Sequence, residues 1–387
     1  MGSFAAGYSL MPKVLHVISG LKVGGAEMML HRLIVSARGG EYEHMVVSLD
    51  PVGVMRKRFE EAGIELVVFD FKHSPIAHFS RLVSLIRRVK PDIVQSWLYH
   101  ADLFGCLAAR MAGNRHVIWG IRTTDIQVGG SSATVIVRWL CAWLSAWMPQ
   151  VIVSAAEASR QSHISVGYYA KKMVVVPNGY DFLWLRASAD ERESLREQFD
   201  IKQNEVVVGS LGRFHADKDQ ENFVRSSALL APQYPQLRFL MVGRDLDWDN
   251  TQLVDWIVST GFKARFVLLG ERKDVPQCLA SMDIFCLHSR TEGFPNVLAE
   301  AMAMGLPCVT TDVGDAAMLV ADTGVVVPKG DSAALAAGLG QLLSMSSDAR
   351  QQLGQKARAR IHAEFSIDCA RERFESIYQR ITRKEQP

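Results

Sequence analysis

Two glutamates with seven residues between them, Glu292 and Glu300, stand on either side of the point where a loop runs into an apolar, helix-forming stretch. The segment reads Ser289-Arg290-Thr291-Glu292-Gly293-Phe294-Pro295-Asn296-Val297-Leu298-Ala299-Glu300 and continues Ala301-Met302-Ala303-Met304-Gly305. Ala, Leu and Met favour a helix, and Pro295 is expected in its first turn, where a missing N–H costs nothing. The amides of Asn296, Val297 and Leu298 would then be open, and with the helix dipole they could hold phosphate. Glu300 would lie about 6 Å further along the axis. A carboxylate there repels phosphate but accepts hydrogen bonds from a neighbouring ribose diol, and Glu292 can do the same for sugar hydroxyls. Upstream, Arg213, in Gly209-Ser210-Leu211-Gly212-Arg213-Phe214, and Lys218 are loop cations, and a planar guanidinium is well suited to phosphate. Taken singly, each is ordinary: carboxylates at helix ends are stabilising for local reasons, and loop cations keep surfaces soluble.

Such residues need elements to hold them. Short β-rich runs (Val14–Ile18, Met45–Leu49, Glu65–Phe69, Ile93–Ser96, His116–Trp119, Val151–Ser154) alternate with amphipathic stretches, as in β-α-β units with a parallel sheet covered on both faces. Turn chemistry at Pro177-Asn178-Gly179 breaks the series, and a charged helical stretch, Ala189 to Phe199, follows. Alternation then restarts at Val206–Gly209, Phe239–Val242, Phe266–Leu269, Ile284–Leu287 and Cys308–Thr310. At 387 residues the chain exceeds what one core usually supports, about 250–300 residues. The expected organisation is α/β, with one Rossmann-like doubly wound domain over 1–180 and a second over 181–365. A terminal helix over 366–387 is placed to cross back to the first.

Composition narrows the function classes. A net charge of +2 provides no field that would by itself attract nucleic acid. Six scattered cysteines without C-x-x-C or zinc-ligand spacing suit a reducing compartment. The first ten residues carry no basic side chain and the apolar run after Lys13 reads as a strand, so no secretory leader is expected. A cytoplasmic location follows as the expectation.

Glu292-Gly-Phe-Pro and Glu300-Ala-Met-Ala-x-Gly, in that spacing, resemble the motif of the retaining glycosyltransferases of family 4. Gly212-Arg213 with Lys218 resembles that family's diphosphate-holding segment. The resemblance runs over about residues 13–380 and implies the GT-B fold, two Rossmann-like domains with an interdomain cleft. The C-terminal domain would bind donor and the N-terminal domain acceptor. It implies that Arg213, Lys218, Glu292 and His100 carry catalysis. Donor binding would use Gly24, Gly25, Gly243, Arg272, Val275, Gly293, Phe294, Pro295, Asn296, Val297 and Glu300 besides. Gly24 and Gly25 belong to Gly24-Gly25-Ala26-Glu27, which resembles the family's first loop; Arg272 to Val275 resemble its base-binding segment. His100, in Trp97-Leu98-Tyr99-His100, matches a position from which a histidine reaches the donor sugar, whereas alone it would read as a core or capping residue. Arg122 and Asp125 end the next strand and are acceptor candidates. Asp315 departs from the pattern, standing where glycine is common.

No metal or cofactor is expected. Asp245-Leu246-Asp247 contains a D-x-D, but it precedes Asn250-Thr251 and reads as an acidic loop before a helix cap. Trp139, Trp143 and Trp147 recur at four-residue spacing, a pattern that ordinarily faces a core and alternatively inserts at a membrane surface. The expected substrate is a nucleotide sugar, UDP-linked, with transfer to a lipid-linked or glycan acceptor in cell-surface polysaccharide or glycolipid biosynthesis. Peripheral contact with the inner face of the cytoplasmic membrane would run through the N-terminal domain. The alternatives are a sugar-nucleotide epimerase, a transferase with a soluble acceptor, or a non-catalytic sugar-nucleotide-binding subunit.

Overall fold

The computed structural model describes residues 11–22, 24–123 and 132–383. The chain forms two compact units, one running to Tyr180 and taking in the helix from Ile367, the other Asp181–Ser366.

The first unit carries β1 (Lys13–Ile18), β2 (Glu43–Ser48), β3 (Glu65–Val68), β4 (Ile93–Trp97), β5 (Val117–Ile121), β6 (Val151–Ser154) and β7 (Met173–Val175). They pair in parallel in the order β3-β2-β1-β4-β5-β6-β7. Val117–Ile121 is buried along its whole length and reads as an unbroken apolar segment rather than an alternating one, and Ile93–Trp97 is equally buried although it contains Gln95 and Ser96. β7 is a short strand lying in what reads from sequence as the break between domains.

The second unit carries β8 (Val206–Leu211), β9 (Leu237–Val242), β10 (Phe266–Leu268), β11 (Ile284–Leu287), β12 (Cys308–Thr311) and β13 (Gly324–Val327). Their order is β10-β9-β8-β11-β12-β13. In both sheets the order reverses beside the first strand, between β1 and β4 and between β8 and β11. Connections leave that point toward opposite faces and open a crevice at the strands' carboxyl ends, where open α/β sheets bind ligands. The loops after β1, β4, β8 and β11, with the first helical turns that follow them, carry Gly24 and Gly25, His100, Arg213 and Lys218, and Glu292 respectively.

The terminal helix Ile367–Arg383 buries Ala370, Phe374, Ile377, Tyr378 and Ile381 in one core of the first unit, with Trp97 and Met29. The Ile367 amide donates to the Tyr180 carbonyl (2.9 Å), so the chain re-enters this unit beside the point where it left. Tyr378 Oη donates to Gln95 Oε1. The tryptophan stripe departs from the ordinary core-facing reading. Trp139, Trp143 and Trp147 are 65%, 59% and 63% exposed, because Val137, Leu140, Leu144 and Met148 on the opposite side of the segment meet the core instead.

Candidate donor and acceptor sites

In the second unit, close backbone contacts bring the loops together. Gly243 has φ +146°, and a Cβ there would stand 2.0 Å from the Gly212 carbonyl oxygen, so only glycine permits the contact. The Gly243 amide donates to Gly270 O (2.8 Å) and the Phe214 amide to Arg244 O (2.8 Å). Gln220 Nε2 donates to the carbonyl of Arg213 at 2.8 Å, while the Arg213 side chain is exposed.

Lys218 Nζ lies 2.5 Å from Glu292 Oε1, and Ser289 Oγ donates to the same oxygen at 2.7 Å. Both partners are about three-quarters or more buried, with side-chain exposures of 26% and 12%. His288 Nδ1 is 2.5 Å from the Lys218 carbonyl. A carbonyl can only accept, so Nδ1 carries the proton, and burial pushes the ring down to about 4, keeping it neutral. His288 and Ser289 thus fix Lys218 and Glu292 from below. Neither stood out in the sequence, although Ser289 at i−3 from Glu292 is a spacing that permits a local hydrogen bond. On the far side Gly314, φ +53°, lies against the Glu292 loop so closely that a Cβ would fall 2.2 Å from Gly293 O. The Asp315 amide then donates to Gly293 O (2.9 Å), with Asp315 buried. The loop therefore accommodates aspartate where glycine is common.

The helix begins at Asn296, with Pro295 as its cap rather than in its first turn. The Leu298 amide donates to Pro295 O at 3.1 Å, so it is not among the open amides that the sequence suggested. Glu300 and Val297 are half-buried. The Arg272 guanidinium binds its own neighbour Asp274 in a fork, Nε to Oδ1 2.8 Å and Nη2 to Oδ2 2.5 Å, and Val275 opens the helix behind it. This pairing raises the arginine pKa and lowers that of the carboxyl. Asn250 Oδ1 accepts the Leu253 amide (3.2 Å) as a helix cap after the acidic loop.

In the first unit, Gly24 caps the helix Gly25–Ser36 in an extended conformation. The Glu27 carboxylate folds back toward it, close enough that a Cβ on Gly24 would lie 2.5 Å from Oε2. Burial raises the Glu27 pKa. His100 lies in the first turn of the helix Tyr99–Met111. Its cap, Leu98, has φ +73° and ψ 155°, a region nearly reserved for glycine that costs about 1–3 kcal/mol and gathers at functional sites. Leu98 is held there by its amide on Gly120 O (2.9 Å), and the Ala101 amide donates to Ser19 Oγ (3.1 Å). Burial lowers the His100 pKa. Beneath it Asp102 is fully buried, accepting Ser96 Oγ–H at 2.6 Å and the Gly120 amide at 3.2 Å through Oδ1. Oδ2 has no hydrogen-bond partner among the described residues, and burial pushes the carboxyl up to about 7.

Arg122 stacks on Trp97 (4.7 Å to the ring centroid) and Phe374 (5.6 Å). Nη1 donates to Asn178 Oδ1 at 3.1 Å, whereas buried Nε and Nη2 lack partners among the described residues. Burial lowers its pKa to about 9. Asp125 lies outside the described residues. Arg122 is thus a side chain clamped in its own unit rather than a loose surface cation.

These features have counterparts in known proteins. The Glycosyltransferase Family 4 family matches residues 23–182 and Glycosyl transferases group 1 matches 205–345. The UDP-Gal:alpha-D-GlcNAc-diphosphoundecaprenol alpha-1,3-galactosyltransferase of Escherichia coli is 27% identical over 236 residues, 60% of this chain and 60% of that protein. The capsular polysaccharide biosynthesis glycosyltransferase CapM of Staphylococcus aureus is 26% identical over 318 residues, 78% of this chain and 82% of its own length. Among solved structures, Anabaena Alr3699/HepE in complex with UDP superposes with a TM-score of 0.81 at 22% identity, over 94% of this chain and 98% of that one. With two doubly wound parallel sheets, matches to both halves and a GT-B-like architecture, the chain belongs to the family-4 glycosyltransferases.

Proposed function

We propose that the protein is a retaining glycosyltransferase that moves a sugar from a UDP-linked donor to a lipid-linked acceptor in cell-surface polysaccharide assembly. The observation that carries this reading is the Lys218–Glu292 pair, 2.5 Å apart at the carboxyl end of the second sheet, with Glu292 in the loop that leads to Glu300. Glu292 holds the ammonium of Lys218 in place before any donor arrives. Preorganised charge of this kind lowers the barrier to losing a diphosphate, because little reorganisation remains to be done in the transition state. Both contacts to Glu292 use Oε1, which suits Oε2 to accept a sugar hydroxyl. Arg213 and the first turn of the Asn296–Ala303 helix share the diphosphate, and Glu300 accepts from the ribose. Gly243, Arg272 and Val275 border the nucleoside, and Gly24 and Gly25 allow backbone approach to the donor. His100 is assigned to turnover rather than to donor affinity, and Arg122 to the acceptor. The relatives' activities support the chemistry: one is named for transfer from UDP-galactose to a diphosphoundecaprenol-linked sugar, another for capsular polysaccharide biosynthesis, and a structural neighbour holds UDP.

The test is to incubate the purified protein with a panel of nucleotide sugars, with and without lipid extract. Nucleoside diphosphate release, labelled lipid product and the anomeric configuration of the new bond are then followed. UDP-dependent labelling of lipid with retained configuration is expected. Inverted product sinks the retaining assignment, and tight donor binding without turnover on any acceptor sinks the transferase. Glu300→Ala should weaken UDP binding by about tenfold, the worth of one hydrogen bond to a charged group, measured by calorimetry.

A further inference from the structure

The segment Ser132–Leu144 forms a helix of the first unit with two unlike sides. At about 100° per residue, Val137, Leu140, Cys141 and Leu144 share the side that meets the core. Val135, Ile136, Trp139 and Trp143 share the other, and Trp147 extends it past the helix end; all five are exposed. Trp143 and Trp147 stack edge to face with centroids 5.6 Å apart. Exposed Tyr169 adjoins the same end, its amide on Ser145 Oγ at 2.9 Å. Large aromatics left in water are costly, and a cluster of them marks a surface that is covered in use.

Charge indicates what covers it. From Ile126 to Ala156 the sequence contains no acidic residue. At the Trp147 end, Lys172 Nζ lies 2.6 Å from Ala146 O and 2.7 Å from Pro149 O, Arg110 Nη2 lies 2.8 Å from Met148 O, and Lys171 beside them is exposed. Three tryptophans and a tyrosine rimmed by cations match the layered chemistry of a bilayer surface. Indole rings favour the headgroup level, basic groups meet anionic phosphates, and apolar side chains enter the acyl boundary. No helix among the described residues is long and apolar enough to cross a membrane. We propose that this face docks the protein on an anionic bilayer surface, lying in its plane. The inference deepens the reading above, since a lipid-linked acceptor would be met there, and it rests on that reading only for the acceptor.

Vesicle co-sedimentation tests docking without any transfer reaction. The full chain is mixed with vesicles of phosphatidylcholine containing phosphatidylglycerol, or of phosphatidylcholine alone, while UDP binding is measured separately by calorimetry. Wild type should bind the anionic vesicles at least tenfold more strongly than the neutral ones, with its fluorescence quenched by brominated acyl chains. Trp139→Gln with Trp143→Gln and Trp147→Gln should lose at least tenfold in vesicle affinity. Lys171→Glu, a milder change at an exposed position, should lose about fivefold with an unchanged thermal midpoint. UDP affinity should stay at the wild-type value in both. Failure of wild type to bind vesicles, or equal binding by the variants, overturns the proposal. So does a concentration-dependent dimer without lipid that the tryptophan substitutions abolish, which would assign the face to a second copy of the chain. Loss of UDP binding by wild type would instead count against the donor-site reading and leave the vesicle result standing.

Discussion

The two switch-point crevices are built on the same sheet topology but treat their polar groups in opposite ways. In the second unit, Lys218, Glu292 and Ser289 satisfy one another, Arg272 is neutralised by Asp274, and His288 fixes the Lys218 carbonyl. In the first, polar groups are buried with part of their hydrogen-bonding capacity unused: Oδ2 of Asp102 and Nε and Nη2 of Arg122. Buried polar atoms without partners cost about 1–3 kcal/mol each. A paired site is ready for an anionic ligand before it arrives. A desolvated one has its protonation states set by burial, with Asp102 raised to about 7, Arg122 lowered to about 9 and His100 lowered.

The largest expected effect comes from breaking the pair. Lys218→Ala should reduce kcat/KM by about 100- to 1,000-fold, the range for losing one preorganised group facing a developing charge. Steady-state kinetics at saturating acceptor measures it, and a loss under tenfold would mean that the pair is structural only. Next is His100→Ala, expected to lower kcat by about 10- to 100-fold, as for one strong hydrogen bond, with UDP affinity unchanged within about threefold. Because burial holds the His100 pKa below its ordinary 6.5, less of the ring is protonated at that pH than in an exposed imidazole. Its contribution to kcat should therefore persist down through that pH. A turnover loss centred at the ordinary histidine value, present in wild type and absent in His100→Gln, contradicts this.

The contrast also explains what could be read from sequence. Parallel strands buried on both sides appear as largely apolar runs, and eleven of the thirteen strands among the described residues fall on runs read from the sequence; β7, three residues long, was hidden just before the turn at Pro177, and β13 (Gly324–Val327) was not read. The second site was legible because its groups sit in consecutive loop positions, Glu292 to Asn296, whose spacing is itself the pattern. The first was not, since Ser19, Leu98 and Asp102 meet only when β1, β4 and β5 pair. Asp102 in particular reads as an ordinary first-turn carboxylate, and nothing local shows that Ser96 and Gly120 will enclose it. The tryptophan stripe has a period that ordinarily faces a core, and only the packing of Leu140 and Leu144 on the other side decided against that reading.

The smallest expected effect tests the desolvated side directly. The Asp102 carboxyl is raised from 3.8 to about 7 in the folded protein. The native state therefore keeps a proton that the unfolded chain has lost. Stability is greatest below the unfolded value, falls as pH rises between the two, and levels off above about 7, with a slope of at most about 1.4 kcal/mol per pH unit. A carboxamide does not titrate, so Asp102→Asn should remove the slope, while the amide oxygen can still accept from Ser96 and Gly120. From pH 5.5 to 6.5 the midpoint of wild type should fall relative to Asp102→Asn by about 2–4 °C, the equivalent of about 1 kcal/mol in a domain of this size. Calorimetry at the two pH values reads the difference, and Lys218→Ala, in the other unit, should keep the wild-type slope. Parallel pH dependence in wild type and Asp102→Asn would show that the carboxyl is already ionised when folded, and the opposition between a paired and a desolvated site would then rest on Arg122 alone.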